Sequence, residues 1–162
     1  MKTHGFTLLE ILVVLAIIGI LAGIFGWNLI RSIRSAELRE ATAQVATDLR
    51  RARSQAQRGS ADITISWTPD GTGKVTAYKV GAGTAQPLSN GVSLQCVSGC
   101  NAPAGANYNN ITYTAPYGEL ATQNGAINGK KFTLSSPATG VTPLEIRVVG
   151  VTGKVIVTQG TP

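Results

Sequence analysis

The sequence predicts an α+β fold. One long N-terminal helix, half membrane-spanning and half amphipathic, packs on a C-terminal antiparallel β-sheet domain. Three observations carry this expectation. Residues Ile11 to Ile30 include no charged side chain. Leu38, Ala41, Val45, Leu49, Ala52 and Ala56 then recur at steps of three and four. From Ile63 onward, short runs alternate apolar with polar residues between clusters of Gly, Pro and Asn. The two spacings separate the two kinds of element, because side chains return to one face about every 3.6 residues in a helix and every two in a strand.

The apolar run comes first. At roughly 1.5 Å per residue, about 20 apolar residues cross the hydrocarbon of a bilayer. The only strongly polar residue within the run is Asn28. Lys2 and His4 precede it, so the positive-inside rule leaves Met1–Gly5 in the cytoplasm and sends the rest outward. Glu10 is the anomaly, a carboxylate just inside the start of the run. Such a group costs at least about 2.5–3.5 kcal/mol in lipid and usually has a partner. A cleaved secretory signal would need small residues in an A-x-A arrangement. Ile20-Leu21-Ala22 puts Ile where a small residue belongs, and the run continues to Ile30. An ordinary membrane anchor leaves Glu10 unexplained.

The helix is expected to continue past the membrane, with its apolar stripe covered by a domain. Glu40, Gln44, Thr47, Arg51 and Arg58 fall off the stripe toward solvent, with i,i+3 pairs Arg34–Glu37 and Asp48–Arg51. It should stop near Arg58-Gly59-Ser60, where Gly follows a basic residue. Ile63–Trp67 reads as a strand, and Lys74–Val80 as its continuation after a turn through Pro69-Asp70-Gly71. Further strands are expected at Val92–Gln95, Ile111–Thr114, Phe132–Ser135, Leu144–Val149 and Lys154–Thr158. The last two flank the hairpin signal Gly150-Val151-Thr152-Gly153. Loops are expected between Gly81 and Asn110 and from Gln123 to Gly129.

Composition agrees with one small loop-rich domain outside the cytoplasm. The 162 residues are only 14% charged, with 19 Gly and 7 Pro. Of the net charge of +6, four sit between Arg31 and Arg58, where seven arginines face Glu37, Glu40 and Asp48. That excess fits a positive flank for the membrane helix with a solvated face, or an acidic partner such as a neighbouring subunit or a nucleic acid backbone. Cys96 and Cys100 are spaced so that a tight turn through Gly99 brings their sulfurs together. In an oxidising compartment a disulfide is expected there; a pair of free thiols is the other reading. Two thiolates do not make a zinc site, and His4 is the single histidine. No metal or cofactor is expected. Nor is an enzyme: there is no spaced carboxylate pair and no Gly-rich phosphate loop after a strand.

Gly5-Phe6-Thr7-Leu8-Leu9-Glu10, a short basic leader ending in Gly before an apolar helix, resembles the prepilin signal of type IV pilins and pseudopilins. The resemblance implies a leader at 1–5, a transmembrane helix at 6–30, its amphipathic continuation at 31–59 and a globular domain at 60–162. It implies cleavage between Gly5 and Phe6 by prepilin peptidase and methylation of the Phe6 amine. Glu10 of one subunit would then meet the Phe6 amine of its neighbour. Two charges that are each costly in lipid offset one another when paired, which sets the stagger between subunits. Thr7, Leu8 and Leu9 are read as helix surface.

Ala36-Glu37-Leu38-Arg39-Glu40-Ala41-Thr42 and Val45–Ala56, leading into Ile63–Trp67, look like the helix of the GspH/FimT minor pseudopilins. Ile146–Val149 and Gly153–Val157 resemble that family's closing hairpin. Partners implied are other pilins, prepilin peptidase and an inner-membrane assembly platform, with the β domain periplasmic. The implied role is a minor subunit near the tip of a type II secretion pseudopilus or a type IV pilus. The alternatives are a minor pilin that binds DNA for uptake or a surface for adhesion, and a major pilin. Many relatives have Pro where this chain has Trp27; Gly19, Gly23 and Gly26 would supply either flexibility or close helix packing instead. Glu119 and Glu145 are too far apart in sequence for the calcium loop of major pseudopilins. DNA-binding relatives end in a Gly-Arg-X-Arg type tail, where this chain has Gly153-Lys154-Val155-Ile156 with one cation. Lys130, Lys131, Arg147 and Lys154 are left as candidates for weak phosphate contacts.

Overall fold

The computed structural model describes residues 7–99, 110–121 and 129–160. A single unbroken helix, α1, runs from Leu8 to Gly59 over 52 residues. Thr7 is its N-cap, and the Thr7 Oγ1 accepts the Glu10 amide proton at 3.2 Å. Thr7-Leu8-Leu9-Glu10 therefore has the spacing of a capping box, in which a hydroxyl satisfies one of the amides left open by the first turn. At the far end Ser60, not Gly59, takes the left-handed conformation that closes the helix, at φ 51.

The halves of α1 differ completely in burial. Its most apolar stretch has a mean hydropathy of 2.9 and no buried residue among those described. Length and composition suffice for it to cross a membrane. Beyond Ile33 the expected stripe goes under cover: Leu38, Ala41, Val45, Leu49, Ala52 and Ala56 are all buried. Ala46 and Thr42 join them, the Thr42 hydroxyl turning back to the Leu38 carbonyl at 2.7 Å.

Two five-stranded antiparallel sheets follow the helix. The strands are β1 (Ile63–Trp67), β2 (Lys74–Val75), β3 (Ala77–Val80), β4 (Ala85–Pro87), β5 (Ser93–Ser98), β6 (Asn110–Thr114), β7 (Glu119–Leu120), β8 (Lys130–Ser135), β9 (Leu144–Val148) and β10 (Val155–Gln159). One sheet has the order β4-β3-β1-β6-β7 and the other β10-β9-β8-β5-β2. α1 touches β1 and β6 of the first and β8, β9 and β10 of the second, so the helix stripe closes a core shared by both. Phe132 and Trp67 meet edge to face there, with ring centroids 5.2 Å apart.

The expected strands recur with one division. Lys74–Val80 is not one strand: β2 pairs with β5 while β3 pairs with β1, so the chain changes sheets at Thr76. Asp70 shapes the approach, its carboxylate accepting from the Thr72 and Lys74 amides and the Thr72 hydroxyl, which hold its pKa down. Short strands β4 and β7 form where loop or no element was expected. The β9–β10 hairpin forms as read, with Val148 opposite Val155. Gly153 makes it possible: its φ is +60, and a Cβ there would stand 2.8 Å from the Tyr113 ring.

Tyr113 is wholly buried, and its hydroxyl has no hydrogen-bond partner among the described residues. An unmet hydroxyl in the core costs on the order of 1–3 kcal/mol. Tyr113→Phe is therefore expected to raise the stability of the β domain by about 1 kcal/mol, read as a higher melting temperature. A lower one would show that the hydroxyl has a partner.

Candidate functional site

Glu10 lies exposed in the first turn of α1, beside the exposed side chains of Leu8, Leu9, Ile11 and Leu12. Gly5 and Phe6, with which the sequence reading associates it, lie outside the described residues. The geometry gives Glu10 two local supports, the capped amide and the positive end of the helix dipole. Neither neutralises a carboxylate in lipid. What the turn offers chemically is an acid on an apolar surface, suited to a cation from another chain.

The arginines beyond the apolar run are used differently from a uniformly solvated face. Arg31 donates to the Gly140 carbonyl, Arg50 to that of Val155 at 3.4 Å and Arg53 to that of Gly118 at 3.3 Å. Gln57 adds a bond to the Tyr117 carbonyl at 2.9 Å. These side chains clamp α1 to turns and strand ends that carry open carbonyls. Arg34 pairs with Glu37 at 3.0 Å, as its spacing predicts. Asp48 does not pair with Arg51; it accepts the Tyr78 hydroxyl at 2.5 Å. Burial and then that bond push the Tyr78 phenol far above its ordinary value. Arg39, Arg51 and Arg58 stay exposed.

The four candidate phosphate contacts do not form one surface. Lys130 is buried, at 5% exposure, and gives its ammonium to the Asn110 carbonyl at 2.9 Å. Lys131 points to the other side of β8 and pairs with Glu145 at 2.7 Å. Arg147 stands opposite Lys131 in the β8–β9 ladder, and Lys154 is exposed in the turn before β10. Cys96 sits in β5 opposite Phe132. Its proposed partner, Cys100, lies outside the described residues.

Burial lowers the Lys130 pKa from 10.5 to about 8. Because the folded value is the lower one, the unfolded chain holds the proton more tightly. Lys130 thus weakens the fold below about pH 8, and the cost fades as pH rises toward 10.5. The expected gain in unfolding free energy between pH 7 and 9.5 is on the order of 1–2 kcal/mol. Denaturant titrations should show it in the wild type and not in Lys130→Met; an equal rise in both would exclude Lys130 as its source.

Among the described residues, no three His, Cys, Asp or Glu side chains gather where one metal ion could bind them. Residues 1–26 match the prokaryotic N-terminal methylation motif. Among curated proteins no sequence matches the chain significantly. Among solved structures the chain is similar to the type IV minor pilin FimU of Pseudomonas aeruginosa PAO1. One crystal form aligns over 78% of this chain and 90% of that one, with a TM-score of 0.52 and 14% identity. A second crystal form aligns over 74% and 91%, with a TM-score of 0.49 and 15% identity. The first of these likenesses establishes a shared fold, in this chain a long helix whose amphipathic half is laid on antiparallel sheets.

Proposed function

We propose, starting from a chain that is type IV pilin-like in N-terminal motif and in fold, that it works as a minor subunit of a pilus or pseudopilus. It would enter the filament of a type IV pilus or type II secretion system from the inner membrane, near the tip, supporting pilus biogenesis or protein secretion. One observation carries this reading. Among the described residues the N-terminal half of α1 has no buried side chain, while its C-terminal half is locked to the β domain. An apolar helix of that length needs lipid or neighbouring helices around it, and a filament supplies the second after the membrane has supplied the first. Prepilin peptidase and an assembly platform would act on the same half. A Cβ added at Gly19, Gly23 or Gly26 would meet nothing within 4 Å outside the helix's own backbone, so their faces are open for packing between subunits.

The minor position is favoured over the shaft because Cys96 and Cys100, four residues apart, cannot close the long C-terminal loop expected of major pilins. A nucleic-acid role draws little from this surface, since Lys130 is buried and Lys131 already holds Glu145. Filaments sheared from cells and probed with an antibody to the β domain test the reading. A trace subunit is expected, with fewer filaments when the gene is deleted. Shaft-level abundance would make it a major pilin, and absence from filaments would remove it from them.

A further inference from the structure

We propose that the chain carries a binding site for the phosphate of a membrane lipid headgroup, where α1 leaves the apolar run and meets the β domain. A cavity of about 380 Å³ lies there. Asn28, Arg31, Ser32, Ser35 and Arg39 line it from one face of α1, and Thr142 lines it from the loop after β8. Among the described residues no carboxylate lines it. Arg34 and Glu37, which neutralise one another, stand off this wall. The site therefore gathers two guanidinium groups, the side chains of Asn28, Ser32 and Ser35, the Thr142 hydroxyl and the Gln159 amide around an open space with an apolar floor of Leu38, Val141 and Leu144. Arginine's planar fork matches phosphate oxygens, and its charge persists at any relevant pH.

Two details make the arrangement a built one. Arg31 is held in place: it donates to the Gly140 carbonyl, and Gly140 has φ +78, a conformation in which a side chain would be strained and would crowd the guanidinium. A Cβ there would stand 3.2 Å from the guanidinium. Arg39, by contrast, makes no ion pair or hydrogen bond with any described residue, and it lines the cavity with its charge unspent.

Position selects the lipid as the source of the phosphate. The apolar run ends at Ile30. Ser32 and Ser35 follow within roughly 8 Å along the axis, inside the headgroup zone of a bilayer whose hydrocarbon the run fills. Arg39 lies roughly 13 Å beyond Ile30, and helical side chains lean toward the N-terminus, here toward the bilayer. Two positive groups favour a headgroup with net negative charge over a zwitterionic one. The bound lipid would steady the subunit upright in the membrane and would have to be released when the subunit is drawn into a filament.

The site rests on residence of α1 in a bilayer, so the test reads the two separately. Full-length protein is reconstituted with phosphatidylglycerol and phosphatidylcholine vesicles, and flotation reports membrane residence. Native mass spectrometry after detergent extraction then counts retained lipid. The wild type is expected to float and to keep one phosphatidylglycerol in preference to phosphatidylcholine. Arg39→Gln should float equally and retain about fivefold less, the loss of one cation near a charged surface. Arg58→Gln removes the same charge roughly 28 Å further along α1 and should change nothing. Equal retention by Arg39→Gln and wild type, or an equal loss in Arg58→Gln, would overturn the site. Displacement of the lipid by millimolar inorganic phosphate would make it a soluble-anion site and overturn the lipid assignment. Failure of every form to float would overturn the membrane reading and this site with it.

Discussion

Gly5→Leu is expected to leave the whole population of this protein as an uncleaved precursor. If a prepilin peptidase cuts between residues 5 and 6, as proposed, it would have to bring its catalytic groups onto that peptide bond, and a residue without Cβ allows that approach. A leucine side chain there would stand between enzyme and bond. The precursor would keep Lys2 on the near side of the membrane and would never expose the Phe6 amine. α1 itself should be indifferent, because its cap is Thr7 and its first helical residue is Leu8. Membrane insertion should thus be normal while incorporation into filaments is abolished. Intact-mass and N-terminal analysis of protein from membranes gives the answer. A mature terminus at Phe6 in the variant would refute the requirement for Gly5, and an unmethylated one would refute the prepilin reading with it; Thr7→Ala, which costs only about 1 kcal/mol of capping, should be cleaved as wild type.

The elements that the sequence displayed best are those set by local periodicity. Leu38 through Ala56 made a legible stripe because a helix repeats regardless of what it packs against, and every residue of that stripe is buried. The same rule, applied across Lys130–Ser135, places Lys130 on the side of Phe132 and Leu134 and Lys131 on the other. Alternation alone was enough to separate that lysine pair, although adjacent like charges invite grouping as one patch. Thr7, read as helix surface, is instead the N-cap, and the Thr-x-x-Glu spacing of a capping box was the signal that could have shown it.

Other features lay beyond local reading. Lys74–Val80 alternates as one strand, and nothing within it says that the chain changes sheets at Thr76; partner choice does. The arginine clamps join α1 to carbonyls 65 to 109 residues away. An open carbonyl carries no side-chain identity, so no residue type announces it. For the same reason the cavity below Gly140 was invisible until β8, β9 and α1 were set side by side.

Glu10→Gln is expected to cut incorporation into filaments at least tenfold while leaving the isolated subunit intact. Glutamine serves as well as glutamate at the third position of a capping box, and the Thr7 bond goes to the backbone amide of residue 10. The helix start should therefore survive. A neutral amide is also cheaper in lipid than a carboxylate, so the variant should sit in the membrane at least as well and be cleaved normally. Assembly is where the charge counts. If the carboxylate meets the Phe6 amine of a neighbour in an apolar filament core, its removal leaves that amine buried and unpaired. Breaking such a pair costs about 3–5 kcal/mol, far more than the pair contributes when intact. A subunit at the extreme tip has no neighbour above it and would lose less. The measurement is co-purification of wild-type and Glu10→Gln protein with partner subunits, after confirming equal processing in both. Unchanged association would show that Glu10 is not an assembly contact and would return it to the role of helix-start acid, for which its position beside Thr7 is already sufficient.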